Sequence, residues 1–405
     1  IQPLYPAATD WGNGTVGLTG KITKTVADIW TIQGDLNLKA AAVNLYPISV
    51  KKPVGVPLTG KITLTGAGQT WHGEASIQGY ADTQSKQPIK AQAHFATGDG
   101  LKIELDNLMA PGTIMRGRFE ADAKQRAVLR LDAESWNMQD WMTLEKAAKK
   151  TDAPAGEMQP VAPWPDIDMD MAVGKLTLVA DKPLTGVKII GRRQGFVWDS
   201  LILTATGKEA FTVNYTPLNR LLRAQTNDLG DLLERLGISD RIQGGRLVIT
   251  AEQSPLGAFT GTANMQHFNL KTPGFLVQAF TILGIVNGIF DQDLSFDRAE
   301  VPFTLTPVPN LTLTIQNGVM SGTTLGLTFA GDVGWHQVAL TGAVIPAYAI
   351  NSLPGKIPLV GALFRDGQGG GLVGVKYETT GTPWAPQVTF KTLGSMAPGI
   401  LGRLF

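Results

Sequence analysis

A two-residue alternation of apolar and polar side chains recurs along this chain, and it leaves little room for anything but sheet. In LTLTIQ (311–316), Leu311, Leu313 and Ile315 point one way while Thr312, Thr314 and Gln316 point the other. The pattern returns in KLTLVA (175–180), LILTA (201–205), FTVNY (211–215), RLVIT (246–250) and LTFAGDV (327–333). Successive side chains of a strand leave the backbone on opposite faces. Strict alternation therefore predicts antiparallel sheet with one apolar and one polar face. Few helices are available to cover the apolar face, so what covers it is the main question.

Composition agrees with sheet. Charged residues make up 17% of the 405 residues, against roughly 25% in an ordinary globular chain, and there are 47 glycines. Length allows two or three domains, or one elongated repetitive one. A net charge of +1 offers no basic surface for nucleic acid. The absence of cysteine excludes disulfides, zinc–thiolate sites and cysteine nucleophiles. The chain opens on Ile1 without a leader-like segment, as expected of a processed or excised piece.

A repeat marks the first part of the chain. LTGKIT stands at 18–23 and again at 58–63, with Trp30 and Trp71 following and IQG at 32–34 and 77–79. Each copy reads as short strands joined by glycine-rich turns, and such units cover one another's edges. Helix is predicted over 135–150, with Ser135 as N-cap and lysines in the last turn. Four prolines then mark a linker through 151–166. The leucines of 217–236 fall at helical spacing, and Gly230 is expected to divide them into two short helices packed on the sheet.

Three segments are nearly free of charge. Residues 273–290 carry none, 341–364 carry only Lys356, and 395–405 carry only Arg403. On a helix over 274–290, Phe275, Ala279, Ile282, Val286 and Ile289 form one stripe, and Leu276, Phe280, Leu283 and Phe290 a second beside it. So wide an apolar arc is expected to be buried or lipid-facing. It is shorter than the roughly 20 residues a spanning helix needs.

Catalytic signatures are missing. His72, His94, His267 and His336 are scattered, without HxxxH or HExxH spacing. No GxSxG elbow occurs, and LGSMA (393–397) lacks the second glycine. DIDMD (166–170) starts like a calcium loop, yet Met171 replaces the turn glycine and Thr177 the closing glutamate, so a polar strand edge is expected. GVPLTGK (55–61) is a Walker loop without its Ser/Thr, since Ile62 stands there. GGGLVG (369–374) leads into the strand-like VKYETT rather than a helix, so no helix N-terminus awaits a phosphate. The chain is expected not to be an enzyme and to need no cofactor or metal.

Several phrases, in order, carry a family resemblance. They are DLGDLLERLGISDRIQGGRLVITAE (228–252), FTGTANMQHFNLKTPGFLVQAFTILGI (259–285), LSFDRAEVPF (294–303) and IQNGVMSGTTLGLTFAGDVG (315–334). GAVIPAYAINSLPGKIPLVGALF (342–364) and GLVGVKYETTGTPWAPQVTFKTLGSMAPGILGRLF (371–405) follow. Over 171–405 the chain resembles the AsmA-like proteins of Gram-negative envelopes, in particular the C-terminal region of their large YhdP-related members. Residues 1–150 look like the less regular upstream repeats. The resemblance implies a mainly β fold, an elongated antiparallel sheet curled into a trough, the repeating β-groove, with a few short helices. It also implies a periplasmic lipid-transfer role, with anchoring to the inner membrane through an N-terminal segment this chain lacks.

On this reading residues 1–150 are β repeats ending in a helix, 151–170 a proline-rich linker, and 171–405 the C-terminal groove. The expected function is to carry phospholipid acyl chains between inner and outer membranes, supporting outer-membrane lipid homeostasis. The groove is expected to be lined by Leu176, Leu178, Leu201, Leu203, Phe211 and Val213. Leu247, Ile249, Leu311, Leu313, Ile315, Leu327 and Phe329 continue it. Contact with membrane, in particular the outer membrane, is expected at Phe275, Phe280, Ile289, Leu359, Leu363, Phe364, Leu401 and Phe405. The rival expectation is a structural or assembly-assisting envelope protein that binds other proteins. A hydrolase acting on an envelope polymer would need converging carboxylates, which the spacing does not reveal.

Overall fold

The computed structural model describes residues 12–122, 126–143, 166–207, 210–271, 293–307, 311–334, 337–346, 375–383 and 385–390. The chain divides into two compact units, Ile1–Gly207 with Arg235–Gly237, and Lys208–Glu234 with Ile238–Phe405. Strands dominate both. Among the described residues the helical pieces are a 3-10 turn at Tyr46–Ile48, a short helix at 139–143 and a helix at Leu229–Arg235. The expected mainly β chain with few helices is thus observed.

The first unit begins with β1 (Gly12–Gly14), β2 (Gly17–Lys24), β3 (Trp30–Asn37), β4 (Ala41–Leu45) and β5 (Val50–Lys52). It continues with β6 (Leu58–Ala67), β7 (Thr70–Tyr80), β8 (Pro88–Ala96), β9 (Gly100–Ala110) and β10 (Thr113–Asp122). β11 (Arg126–Asn137), β12 (Asp166–Thr177), β13 (Leu184–Gln194) and β14 (Val197–Thr206) complete it. Its large sheet runs laterally β2–β3–β6–β7–β8–β9–β10–β11–β12–β13–β14. All pairs are antiparallel except β11–β12, an exception to the expected antiparallel sheet. A parallel pair needs a long connection to bring the chain back to the same end. Residues 138–165 supply it.

A flap made of β1–β4–β5 and the 3-10 turn folds over one end of this sheet. Val50 packs there with Leu58, Ala81, Ile89 and Ala110 as a buried cluster. The Trp136 indole N–H donates to the Pro47 carbonyl at 2.8 Å, and the Asp140 N–H donates to Ser49 Oγ at 2.9 Å. Lys52 is only 1% exposed. Its ammonium donates to the carbonyls of Ala41 and Pro53, which satisfies part of what burial removes.

The second unit is an antiparallel meander. Its strands are β15 (Phe211–Thr216), β16 (Leu221–Thr226), β17 (Ile242–Gln253), β18 (Phe259–Leu270) and β19 (Leu294–Thr306). They are followed by β20 (Thr312–Gly322), β21 (Leu325–Gly334), β22 (Val338–Pro346), β23 (Val375–Thr382) and β24 (Ala385–Phe390). Each pairs with its neighbours in sequence. Its buried core gathers Phe268, Leu294, Phe296, Ala299, Leu325, Leu327, Val344 and Tyr377 at one end of the strands. Phe268 and Phe296 stack there at 5.2 Å.

Three local expectations are corrected. β11 continues through Ser135 to Asn137, so Ser135 is a strand residue and no N-cap. The helix starts at Gln139, whose N–H is taken by Asn137 Oδ1 at 3.1 Å; 144–150 lie outside the described residues. Within 217–236, Leu221 and Leu222 belong to β16, between β15 and β17, and only Leu229–Arg235 is helical. Gly230 sits inside that helix rather than dividing it, because the helix backbone lies directly on β17. A Cβ at Gly230 would stand 2.5 Å from the Ile242 carbonyl oxygen. Finally, the strand in KLTLVA stops at Thr177, and Leu178–Ala180 turn away.

The repeat and DIDMD fall on strands. The LTGKIT copies form β2 and most of β6, and the two IQG copies lie in β3 and β7. DIDMD opens β12, which is an interior strand paired on both sides rather than an edge.

Candidate functional site

Residues directly opposite in a ladder share a face, so register alone maps the two faces of each sheet. In the first unit Leu18 and Ile22 face Leu36 and Ile32, and Gly34 faces Ile62. The row continues laterally through Ala75, Ala93, Leu105, Gly117, Leu131, Met171 and Ile189 to Leu203. A parallel row runs through Phe95, Ile103, Phe119, Leu129, Met169 and Gly191 to Leu201. One apolar face thus extends across every strand of that sheet. Leu176 joins it at the flap end, opposite Leu184 and Trp136.

The second unit repeats the arrangement. Val213 faces Ala224, which faces Ile249, then Ala263, Val301 and their neighbours. Phe211 and Thr226 lead likewise to Leu247 and Met265. Farther along, Leu305, Leu313, Val333 and Val338 line one row, and Ile315 faces Phe303. Leu327 and Phe329 face Val344 and Gly342. Every predicted groove residue that lies on a paired strand is therefore on the apolar face of its unit. Leu178 lies past the end of β12 and Leu311 just before β20. The predicted membrane contacts Phe275, Phe280, Ile289, Leu359, Leu363, Phe364, Leu401 and Phe405 lie outside the described residues, as do 395–405 and His336.

Much of this face is only half covered. Val213, Leu247, Ile249, Phe303, Leu313 and Phe329 are of intermediate exposure, and Leu18 and Ile22 are 69% and 63% exposed. Large rings sit against glycines on the opposing strand. Trp71 covers Gly66, Trp198 covers Gly191, Phe329 covers Gly318 and Tyr377 covers Gly342. Any Cβ at those glycines would meet the ring at 2.4–2.9 Å. Tyr377 also donates its hydroxyl to the Thr328 carbonyl at 3.0 Å, and burial pushes its pKa up. These ring-on-glycine pairs were not legible in the sequence, because they depend on strand register.

The opposite face is polar and held by cross-strand ion pairs. Arg116 meets Asp132 at 2.7 Å, and Asp168 accepts from Arg130 at 2.9 Å and from Arg192 at 3.1 Å. Partial burial pushes the Asp168 carboxyl up, but the two guanidinium groups outweigh it and hold its pKa below the usual value. His94 meets Asp106 at 3.0 Å. A hollow of roughly 740 Å3 on this face is lined by Thr19, Asp35, Thr59, Lys61, Ser76 and Gln78. Among the described residues no cluster of His, Asp and Glu is arranged to hold a metal ion, and no helix is long and apolar enough to cross a membrane.

Comparison with protein-family models, characterised proteins and solved structures returns no significant match.

Proposed function

We propose that this protein binds lipid on its apolar sheet faces and acts as a periplasmic lipid-transfer module rather than as an enzyme. The observation that carries the reading is the apolar face that runs across the paired strands of each unit and is only half covered over much of its extent. Full burial of one large aliphatic or aromatic side chain is worth about 1.5–3 kcal/mol. A dozen or more such residues left half open forgo on the order of 10 kcal/mol, comparable to the whole stability of a domain. Acyl chains lying on the face would recover that burial without ordered protein cover. The polar ion-paired face stays in water.

Phospholipid is the cargo class the resemblance to AsmA-like proteins implies, with transfer between inner and outer membranes as the context. Acyl chains would slide along the apolar surface. Lipid extraction and native mass spectrometry of the purified chain provide the test. Phospholipid is expected to copurify, and lipid-free protein is expected to take it up from vesicles. Protein that emerges lipid-free and takes up none overturns the reading; if that same protein captures envelope proteins, the assembly role replaces it.

A further inference from the structure

Resting on the lipid reading above, we propose that the first unit holds zwitterionic phospholipids side by side in one orientation. Their headgroups sit along the rim marked at one end by Trp30 and Trp71 and, farther across the sheet, by Trp198, and their chains run toward the opposite rim.

Apart from the parallel β11–β12 pair, the strands of the large sheet alternate in direction, so their ends form two rims. One rim collects the ends of β2, β6 and β13 and the starts of β3, β7 and β14. There the apolar face carries Lys24, Trp30, Trp71, Arg193 and Trp198. Lys24 Nζ lies 4.9 Å from the centroid of the Trp30 ring, and the Arg193 guanidinium 5.7 Å from that of Trp198. The Trp71 indole N–H donates to the Gly68 carbonyl at 3.0 Å. On the other rim the flap packs on Leu58, Ile89 and Ala110, Trp136 donates its indole N–H to the flap's Pro47 carbonyl, and buried Lys52 ties β5 to Ala41.

This asymmetry has a chemical direction. An indole is stable where an apolar phase gives way to a polar one, because its body is greasy and its N–H needs a partner. Cations stacked on those rings can meet a phosphate without leaving the apolar boundary. Neither cation stands apart from acid, however. Asp28 pairs with Lys24, and Asp166 acts on Arg193 while accepting the Gly195 N–H at 3.0 Å. A rim of both signs complements a head carrying both a phosphate and an ammonium better than a purely anionic one.

The test uses the full chain, vesicles of zwitterionic phospholipid, and two photoactivatable analogues, one with its diazirine on the headgroup and one at the acyl terminus. After irradiation, labelled peptides are mapped by mass spectrometry. The headgroup probe is expected in segments 24–30, 66–71 and 193–198, and the acyl-terminal probe near the flap, 46–58. Headgroup labelling at the flap, or equally at both rims, overturns the orientation while leaving lipid binding intact. Failure of both probes to label a folded, lipid-free chain sinks the lipid reading itself. A Lys24→Glu/Arg193→Glu double variant is expected to lose at least fivefold of headgroup labelling at the rim while keeping acyl-terminal labelling. Unchanged headgroup labelling counts against the site. Competition by anionic vesicles more than tenfold stronger than by zwitterionic ones overturns the headgroup class.

Discussion

Gly230 and Asp168 each behave against what their residue type alone suggests. Alanine is a better helix former than glycine by about 1 kcal/mol, so propensity predicts that Gly230→Ala stabilises the helix Leu229–Arg235. Here the added Cβ would collide with the backbone of Ile242–Gly244, at 2.5 Å from an oxygen and 2.7 Å from the Gln243 Cα. The substitution is expected to destabilise by about 1–3 kcal/mol, read from the urea midpoint of the chain. Asp168, between Arg130 and Arg192, titrates below the ordinary aspartate value. Its stabilising contribution is full at neutral pH and lost as the pH falls below about 3.9 toward the folded value. Asp168→Asn should therefore cost on the order of 1 kcal/mol at neutral pH, as partly exposed pairs do, with the cost fading in acid. A pH series of denaturation midpoints checks it, and a cost that grows in acid would reverse the sign.

Elements here owe their type to neighbours as much as to local pattern. The leucines around 217–236 fit a helical period, yet Leu221 and Leu222 are drawn into β16 by strands on both sides. Asp228 then starts the helix, its Oδ1 accepting the Asp231 N–H at 3.0 Å. The flap had no signature in the sequence, since its strands are only three to five residues long and its hold is a set of long-range contacts. Lys52→Met would leave the carbonyls of Ala41 and Pro53 without their donor. A buried group so abandoned costs about 1–3 kcal/mol. Hydrogen exchange over 41–52 is expected to accelerate, while β17–β19 of the second unit stay as protected as before. Equal acceleration in both would mean that the substitution acts globally.

At the scale of the whole molecule, the consequence of period-two patterning is that one residue decides which phase a side chain meets. Leu313 lies on the apolar face and Thr314 on the polar one, beside Asp332. Leu313→Asp places a carboxylate where acyl chains would lie and is expected to lower copurifying phospholipid about tenfold or more. Thr314→Asp, one position on, is expected to leave it unchanged. Lipid counts per folded chain decide between them; equal effects from both would detach lipid content from the apolar face.

The sequence by itself determined that this chain is sheet, which of its strand residues are apolar, and that no familiar catalytic or metal motif is spelled out. Period-two alternation is a local property, so Phe211, Val213, Leu247, Ile249, Leu313, Ile315, Leu327 and Phe329 could be assigned to one kind of face from their own neighbours. Only the tertiary structure decided that those faces join laterally across strands, that β11 and β12 run parallel, and that the flap packs on one rim, where it takes the Trp136 N–H, while Trp30, Trp71 and Trp198 stand at the other. Each of these depends on register between residues far apart in the chain. Local patterning is blind to register, because sliding a strand by two residues preserves every face and changes every partner.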